Sequence, residues 1–267
     1  MKKILLIIIS CMFAFLLVGC NVSVGVKSRN GDLVDFKQES EMKNIEEMVI
    51  NTGKSDVTLK SYNKNKIKIE GQRLKNDEKI KIVTNDKKIE IKDPNSSFNS
   101  KEGKSFFKFV VYDRTPSYTI YIPNSFKGKI DLKNGDGDIS VTGVVLDKFD
   151  LEAGTGDVTI KDVQIKNINC NVGVGDCDLQ LSNCGDVAIN GGVGDCDVAF
   201  EDVNGDFEFN CGVGDCNVSV PNNADIKITK SGNDGIGNIN NKAKLSGNEK
   251  YVFKFTSGVG DINIDNI

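Results

Sequence analysis

The chain has 267 residues, with 34 Lys and Arg against 38 Asp and Glu, so its formal net charge is only −4. It contains no histidine and no tryptophan, and 7% of its residues are aromatic. The commonest general base and metal ligand is therefore missing. Scattered lysines on a mildly acidic chain argue against nucleic acid, and so few aromatic residues are thin for a carbohydrate-stacking cleft.

Met1-Lys2-Lys3 is a basic start, and Ile4 to Val18 is an apolar run too short to span a bilayer comfortably. It ends in Leu17-Val18-Gly19-Cys20, which resembles a bacterial lipobox. That resemblance implies cleavage after Gly19 and lipid on Cys20, several acyl chains each adding about 0.8 kcal/mol per buried methylene. Residues 1–19 thus read as a lipoprotein signal peptide. Loss of Lys2 and Lys3 takes the charge of the mature chain to −6. Residues 20–43 are polar and irregular and read as a flexible tether.

From residue 44 the pattern is β. Short alternating runs stand at Val57-Thr58-Leu59, Ile67-Lys68-Ile69, Ile80-Lys81-Ile82 and Ile89-Glu90-Ile91. The only helical candidate is Glu39 to Met48. Lys101 to Ile122 departs from this spacing: Phe106, Phe107, Phe109, Val110, Val111 and Tyr112 put apolar groups on both faces, as in a strand buried on both sides.

Residues 128–267 hold 21 of the 27 glycines. A Gly-x-Gly-Asp turn recurs there with its aspartate at Asp138, Asp157, Asp176, Asp195 and Asp215, at steps of 19, 19, 19 and 20 residues. It continues, degraded, at Gly235-Ile236-Gly237-Asn238 and ends at Asp261. A fixed short period means one structural unit stacked on itself.

Aligned on the turn aspartate, the chain falls into apolar columns. Ile130, Phe149, Ile168, Val187, Phe207 and Phe253 stand eight residues before it, and Leu132, Leu151, Cys170, Ile189, Phe209 and Phe255 six before. Ile139, Val158, Cys177, Cys196, Cys216 and Ile262 follow one residue after it. Spacing by two puts each set on one face, and the phase shift across Gly-Asp marks a corner between two strands. Gly185-Asp186 and Gly205-Asp206 mark a second corner half a coil away. The expected fold is all-β: a β-solenoid, like a single-stranded β-helix, with two-strand coils of about 19 residues. It spans one domain over 44–267, with irregular coils over 44–127 and regular ones over 128–267. A twisted antiparallel β-sandwich is the alternative.

Aspartates stacked about 4.8 Å apart repel by roughly 1 kcal/mol per pair in water. Local backbone hydrogen bonds of the Asx-turn kind are the expected offset. A cation is the other possibility: Asp176, Asp178, Asp195 and Asp197 would form adjacent outward columns, which suit calcium. In the calcium-binding nonapeptide of secreted toxins, however, the aspartate falls one place later than here. Neither a resident metal nor a cofactor is expected.

Cys11 leaves with the signal, and six cysteines remain beyond Cys20. Cys177, Cys196 and Cys216 stand where other coils carry Ile or Val, so buried free thiols are expected rather than a disulfide framework.

The lipobox, the Val57-Thr58-Leu59 and Tyr121-Ile122-Pro123 strands and the Gly-x-Gly-Asp ladder together make the chain similar to the bacterial DUF4097 family, described as "putative adhesins", over about residues 45 to 267. The resemblance implies a β-helical fold and no enzymatic activity. The function expected is a lipid-anchored surface module, monomeric, on the outer face of the bacterial cytoplasmic membrane. It would meet a protein or glycan of the envelope or of another cell. An envelope-stress sensor docking to a membrane protein is the alternative.

Overall fold

The computed structural model describes residues 27–29, 31–94, 110–112, 114–231 and 236–267. Gly19, Cys20 and the phenylalanines 106, 107 and 109 lie outside the described residues. In chain order the first strands are β1 (Lys27–Arg29), β2 (Leu33–Glu41), β3 (Glu47–Lys54), β4 (Asp56–Tyr62), β5 (Lys66–Leu74), β6 (Lys81–Asn85) and β7 (Lys88–Lys92). Next come β8 (Val110–Tyr112), β9 (Ser117–Pro123), β10 (Lys129–Asp136), β11 (Ile139–Thr142), β12 (Val145–Thr155), β13 (Val158–Val174) and β14 (Cys177–Leu181). The last are β15 (Asp186–Val193), β16 (Cys196–Phe200), β17 (Phe207–Val213), β18 (Cys216–Val220), β19 (Ile226–Lys230), β20 (Ile239–Asn241), β21 (Tyr251–Val259) and β22 (Ile262–Asn266). No helix occurs among the described residues.

Two units emerge. Strands β1 and β8 pair in parallel, Lys27 opposite Val110, within a unit formed by Met1–Arg29 and Ser100–Asp113. The second unit, Asn30–Asn99 and Arg114–Ile267, holds all the other strands.

Within the second unit each coil runs up one strand, turns at the aspartate corner, and runs along a second strand. The pairs β3–β4, β10–β11, β15–β16, β17–β18 and β21–β22 are built this way, and the long β13 leaves one sheet and enters the other between neighbouring coils. Strands before the corner stack in parallel and in register, Ile130 on Phe149, Phe149 on Ile168, Ile168 on Val187 and Val187 on Phe207. Strands after the corner do the same, Ile139 on Val158, then Cys177, Cys196 and Cys216. Every residue named in these two series is buried. Parallel stacking in a fixed register identifies the solenoid and excludes the antiparallel sandwich. Each coil buries only a few side chains, so the stack is stabilised by its neighbours rather than coil by coil.

The order of the end coils differs from the order of the sequence. β21–β22 lies against β17–β18, and the earlier pair β19–β20 lies outside it. At the other end β3–β4 contacts β10–β11 directly, while the later strands β7 and β9 lie outside it. The degraded turn at Gly237-Asn238 is therefore the terminal coil, and the well-formed turn at Asp261 is internal. The outermost coil at the second end is therefore built from β19 and β20, which precede β21 and β22 in the chain.

Two expectations are corrected here. Leu33–Glu41, placed in the tether and partly in a helix, is strand β2, paired antiparallel with β5 from Leu33↔Leu74 to Glu41↔Lys66. Glu47 and Met48, the end of the same helical candidate, begin β3. The residues of β2 alternate between half-buried and exposed, and Phe36 stacks edge-on to Tyr118 at 5.6 Å. With β5 and β6, β2 closes the first end with antiparallel strands, which hinders further coils from adding to it.

Candidate functional site: the aspartate edge

The corner aspartates form one continuous hydrogen-bonded row. The backbone N–H of Asp138 donates to Asp56 Oδ1 at 3.1 Å, that of Asp157 to Asp138 at 3.0 Å, and that of Asp176 to Asp157 at 2.9 Å. The row continues from Asp195 to Asp176 at 2.9 Å, Asp215 to Asp195 at 2.8 Å and Asp261 to Asp215 at 2.7 Å. Asn238 closes it, its N–H donating to Asp261 Oδ1 at 2.9 Å. The offset to like-charge repulsion is thus not a local Asx-turn but a bond from coil to coil. Its magnitude suffices: a hydrogen bond to a charged acceptor contributes about 1.5–3 kcal/mol net, against roughly 1 kcal/mol of repulsion per neighbour in water.

Glycine makes the corner possible. Gly194 has φ 145°, and a Cβ there would stand 2.1 Å from the Gly175 carbonyl oxygen of the next coil. The coils approach too closely for any side chain at that place.

A second, shorter row occupies the opposite corner, as the paired Gly-Asp turns anticipated. Asp206 N–H donates to Asp186 Oδ1 at 3.0 Å, and Val252 N–H donates to Asp206 Oδ1 at 2.8 Å. The outer faces carry amide rows. Asn190 donates to Asn171 at 2.9 Å and Asn210 to Asn190 at 3.0 Å on one sheet. Asn217 donates to Asp197, Asn263 to Asn217 and Asn240 to Asn263 on the other. Asp178 pairs with Lys161 rather than with a neighbouring acid. Among the described residues no group of three or more His, Cys, Asp or Glu converges on a cation position.

Behind the edge lies the thiol column. Cys170, Cys177, Cys184, Cys196, Cys211 and Cys216 are all free and buried. The Cys177 thiol is pushed up by its hydrogen bond with Cys196 and then by burial. Burial pushes Cys170 up. The Cys170 and Cys177 sulfurs therefore keep their protons at neutral pH and are packing groups rather than nucleophiles. On the outer face burial opposes ionisation of Asp150, yet Lys148 and Lys129 together hold its carboxyl below the usual range.

These are the features of a repeat family: a glycine–aspartate corner, parallel coils, and polar rows on short turns. The family model of Toastrack DUF4097 matches residues 45–266. The chain belongs to that family. Among solved structures this DUF4097 chain is similar to a "putative cell adhesion protein" from Clostridium sporogenes ATCC 15579, 19% identical, TM-score 0.43, covering 88% of this chain and 100% of that one. It is also similar to a "putative adhesin" from Bacteroides fragilis NCTC 9343, 14% identical, TM-score 0.43, covering 90% of this chain and 100% of that one. No curated relative matches the chain.

Of the residues singled out in the sequence, Asp138, Asp157, Asp176, Asp195, Asp215 and Asp261 stand together in one row. Asp56 joins them at the first end of the row, where Ser55-Asp56-Val57 is a worn copy of the motif with serine in place of its glycine.

Proposed function

We propose that this DUF4097 protein is a lipid-anchored surface scaffold with an adhesin-like binding role and no catalytic activity. The anchor is Cys20, exposed by cleavage after Gly19, and the location is the outer face of the bacterial cytoplasmic membrane. The observation that supports a binding role is the arrangement of polar chemistry. Aspartate and asparagine rows repeat coil after coil along the outside of a closed apolar core. A row of identical groups at a fixed step suits a repetitive or extended partner, protein or glycan, better than a small substrate. Among the described residues the corners are short, unlike the long loops from which carboxylate enzymes on β-helices build a cleft.

Metabolic labelling with a palmitate analogue tests the anchor. Label is expected on the wild-type chain and absent from Cys20→Ala, which is released from the membrane fraction; label retained on Cys20→Ala sinks the anchor. Binding is tested by comparing surface attachment of cells with and without the chain. Unchanged attachment, with a single integral-membrane protein captured by crosslinking in intact cells, would replace the adhesin reading with a docking accessory.

A further inference from the structure

Five of the eight exposed large apolar side chains among the described residues form one column. Val174 pairs with Val193, Val193 with Val213, Val213 with Val259, and Val259 with Ile236. They are 47% to 79% exposed. Each valine stands two residues before its corner aspartate and between two glycines, so no flanking side chain shields it. Four steps of about 4.8 Å make an apolar stripe roughly 19 Å long. The corner itself does not require it. At the same place in the first coils stand Lys54, Asp136 and Thr155, joined by a Lys54–Asp136 ion pair at 2.9 Å and a Thr155 to Asp136 hydrogen bond at 2.9 Å. A contiguous exposed apolar row of this kind marks an interaction surface.

We propose that the stripe is a homotypic contact: two copies of the chain pack side by side, stripe against stripe, with their coil stacks parallel. Period is the first argument. A second copy repeats at the same 4.8 Å over the whole stripe. A helix, with a pitch of about 5.4 Å, drifts by about 2 Å over it, and an extended strand, with same-face residues about 6.7 Å apart, drifts further.

The flanks give the second argument. On one side of the stripe run Asp176, Asp195 and Asp215, each using one carboxylate oxygen in the row. On the other side run the outward amides Asn171, Asn190 and Asn210. A two-fold axis along the stack sets the aspartates of each copy against the asparagines of the other, so amide donors meet free carboxylate oxygens. The antiparallel arrangement faces aspartate against aspartate. Such a contact is isologous and closes at two copies.

Five side chains offer far less than the roughly 800 Å² per partner of a standard stable interface. The pair is therefore weak in dilute solution, where the expected monomer holds, and forms where copies are concentrated. Tethering at one membrane supplies that concentration, and parallel stacks are the sense two chains held by the same end adopt. This last step rests on the proposed anchor; the stripe and its flanks do not.

Disulfide trapping of the full chain in intact cells tests the pairing. Val174→Cys, Val193→Cys and Val259→Cys are each expected to form a covalent dimer with themselves under mild oxidation. Ser219→Cys, on the outer face of the other sheet, gives none. The six native thiols are buried, 7% exposed at most, and stay silent. Adding Val213→Lys to Val174→Cys should cut dimer at least tenfold with circular dichroism unchanged. Absence of dimer in all three variants overturns the proposal. So does dimer found only when Val193→Cys and Val259→Cys chains are mixed, which is the antiparallel result. The two readings fail separately: missing palmitate label sinks the anchor, and missing dimers sink the paired stripe.

Discussion

The coil at residues 47–62 and the coil at residues 186–200 share a corner aspartate but not the glycine before it. Asp56 accepts from Asp138 N–H as Asp195 accepts from Asp215 N–H. Yet Ser55 takes the place of Gly194, without the left-handed φ. The cause lies in the neighbour. Gly194 turns directly over the Gly175 carbonyl, whereas the Asp56 N–H donates to the Pro116 carbonyl just before β9, where no glycine corner stands beneath Ser55. The aspartate thus answers to the coil that donates to it, and the glycine to the coil it leans on. The two halves of the motif have different reasons to exist.

The largest effect should separate them. Gly194→Ala forces a Cβ to within 2.1 Å of a backbone oxygen at φ 145° and should cost about 3 kcal/mol or more. Ser55→Gly should stay within about 1 kcal/mol, the entropy of an added glycine. Urea denaturation of both variants measures this. A Gly194→Ala protein within 1 kcal/mol of wild type would show that close approach does not decide the residue at this corner.

A smaller effect distinguishes charge from hydrogen bonding along the row. Asp195→Ala leaves the Asp215 N–H without its side-chain acceptor and should cost about 1–2 kcal/mol. Asp195→Asn keeps an acceptor oxygen and removes one like charge, so it should fall within about 0.5 kcal/mol of wild type. Asn238 already stands in the row's terminal coil. If Asp195→Asn were as costly as Asp195→Ala, the carboxylate charge itself, not the coil-to-coil bond, would hold the row together.

Much of this architecture was legible because the repeat makes independent coils agree. Ile130, Phe149, Ile168 and Val187 occupy one alignment column and one buried ladder, since parallel in-register stacking turns sequence period directly into contact. What stayed hidden are choices that alternation cannot express. Ile239 and Ile262 fit the same column, so nothing in the residues says which coil lies outermost. The strand Leu33–Glu41 pairs antiparallel on an edge, where half its side chains face water and the apolar alternation fades into Lys, Gln and Glu. An aspartate that bonds to the next coil and one that closes its own turn have the same neighbours in sequence. Only the stacked geometry tells them apart.

The subtlest contrast is in the core. One residue past the corner the first coils carry Val57, Ile139 and Val158, and the next three carry Cys177, Cys196 and Cys216. At neutral pH the two kinds of packing are close to equivalent, so Cys196→Val should change stability by less than about 1.5 kcal/mol. They part company in alkali. For Cys196 the hydrogen bond with Cys177 pulls the thiol down, while that with Cys216 and burial push it further up. Cys170, Cys177, Cys184 and Cys211 are also raised. An unfolded thiol ionises near 8.5, while these folded ones keep their protons well above that, so the unfolded state binds fewer protons. Stability is therefore full below about pH 8.5 and falls as pH rises toward the folded values, by up to about 1.4 kcal/mol per pH unit for each thiol. Denaturation at pH 7 and pH 9.5 should show the loss in wild type and a loss smaller by about 1 kcal/mol in Cys196→Val. Equal stability of wild type at the two pH values would mean that the thiol column is reached by solvent, and the core behind the aspartate edge would then be looser than its valine-lined counterpart in the first coils.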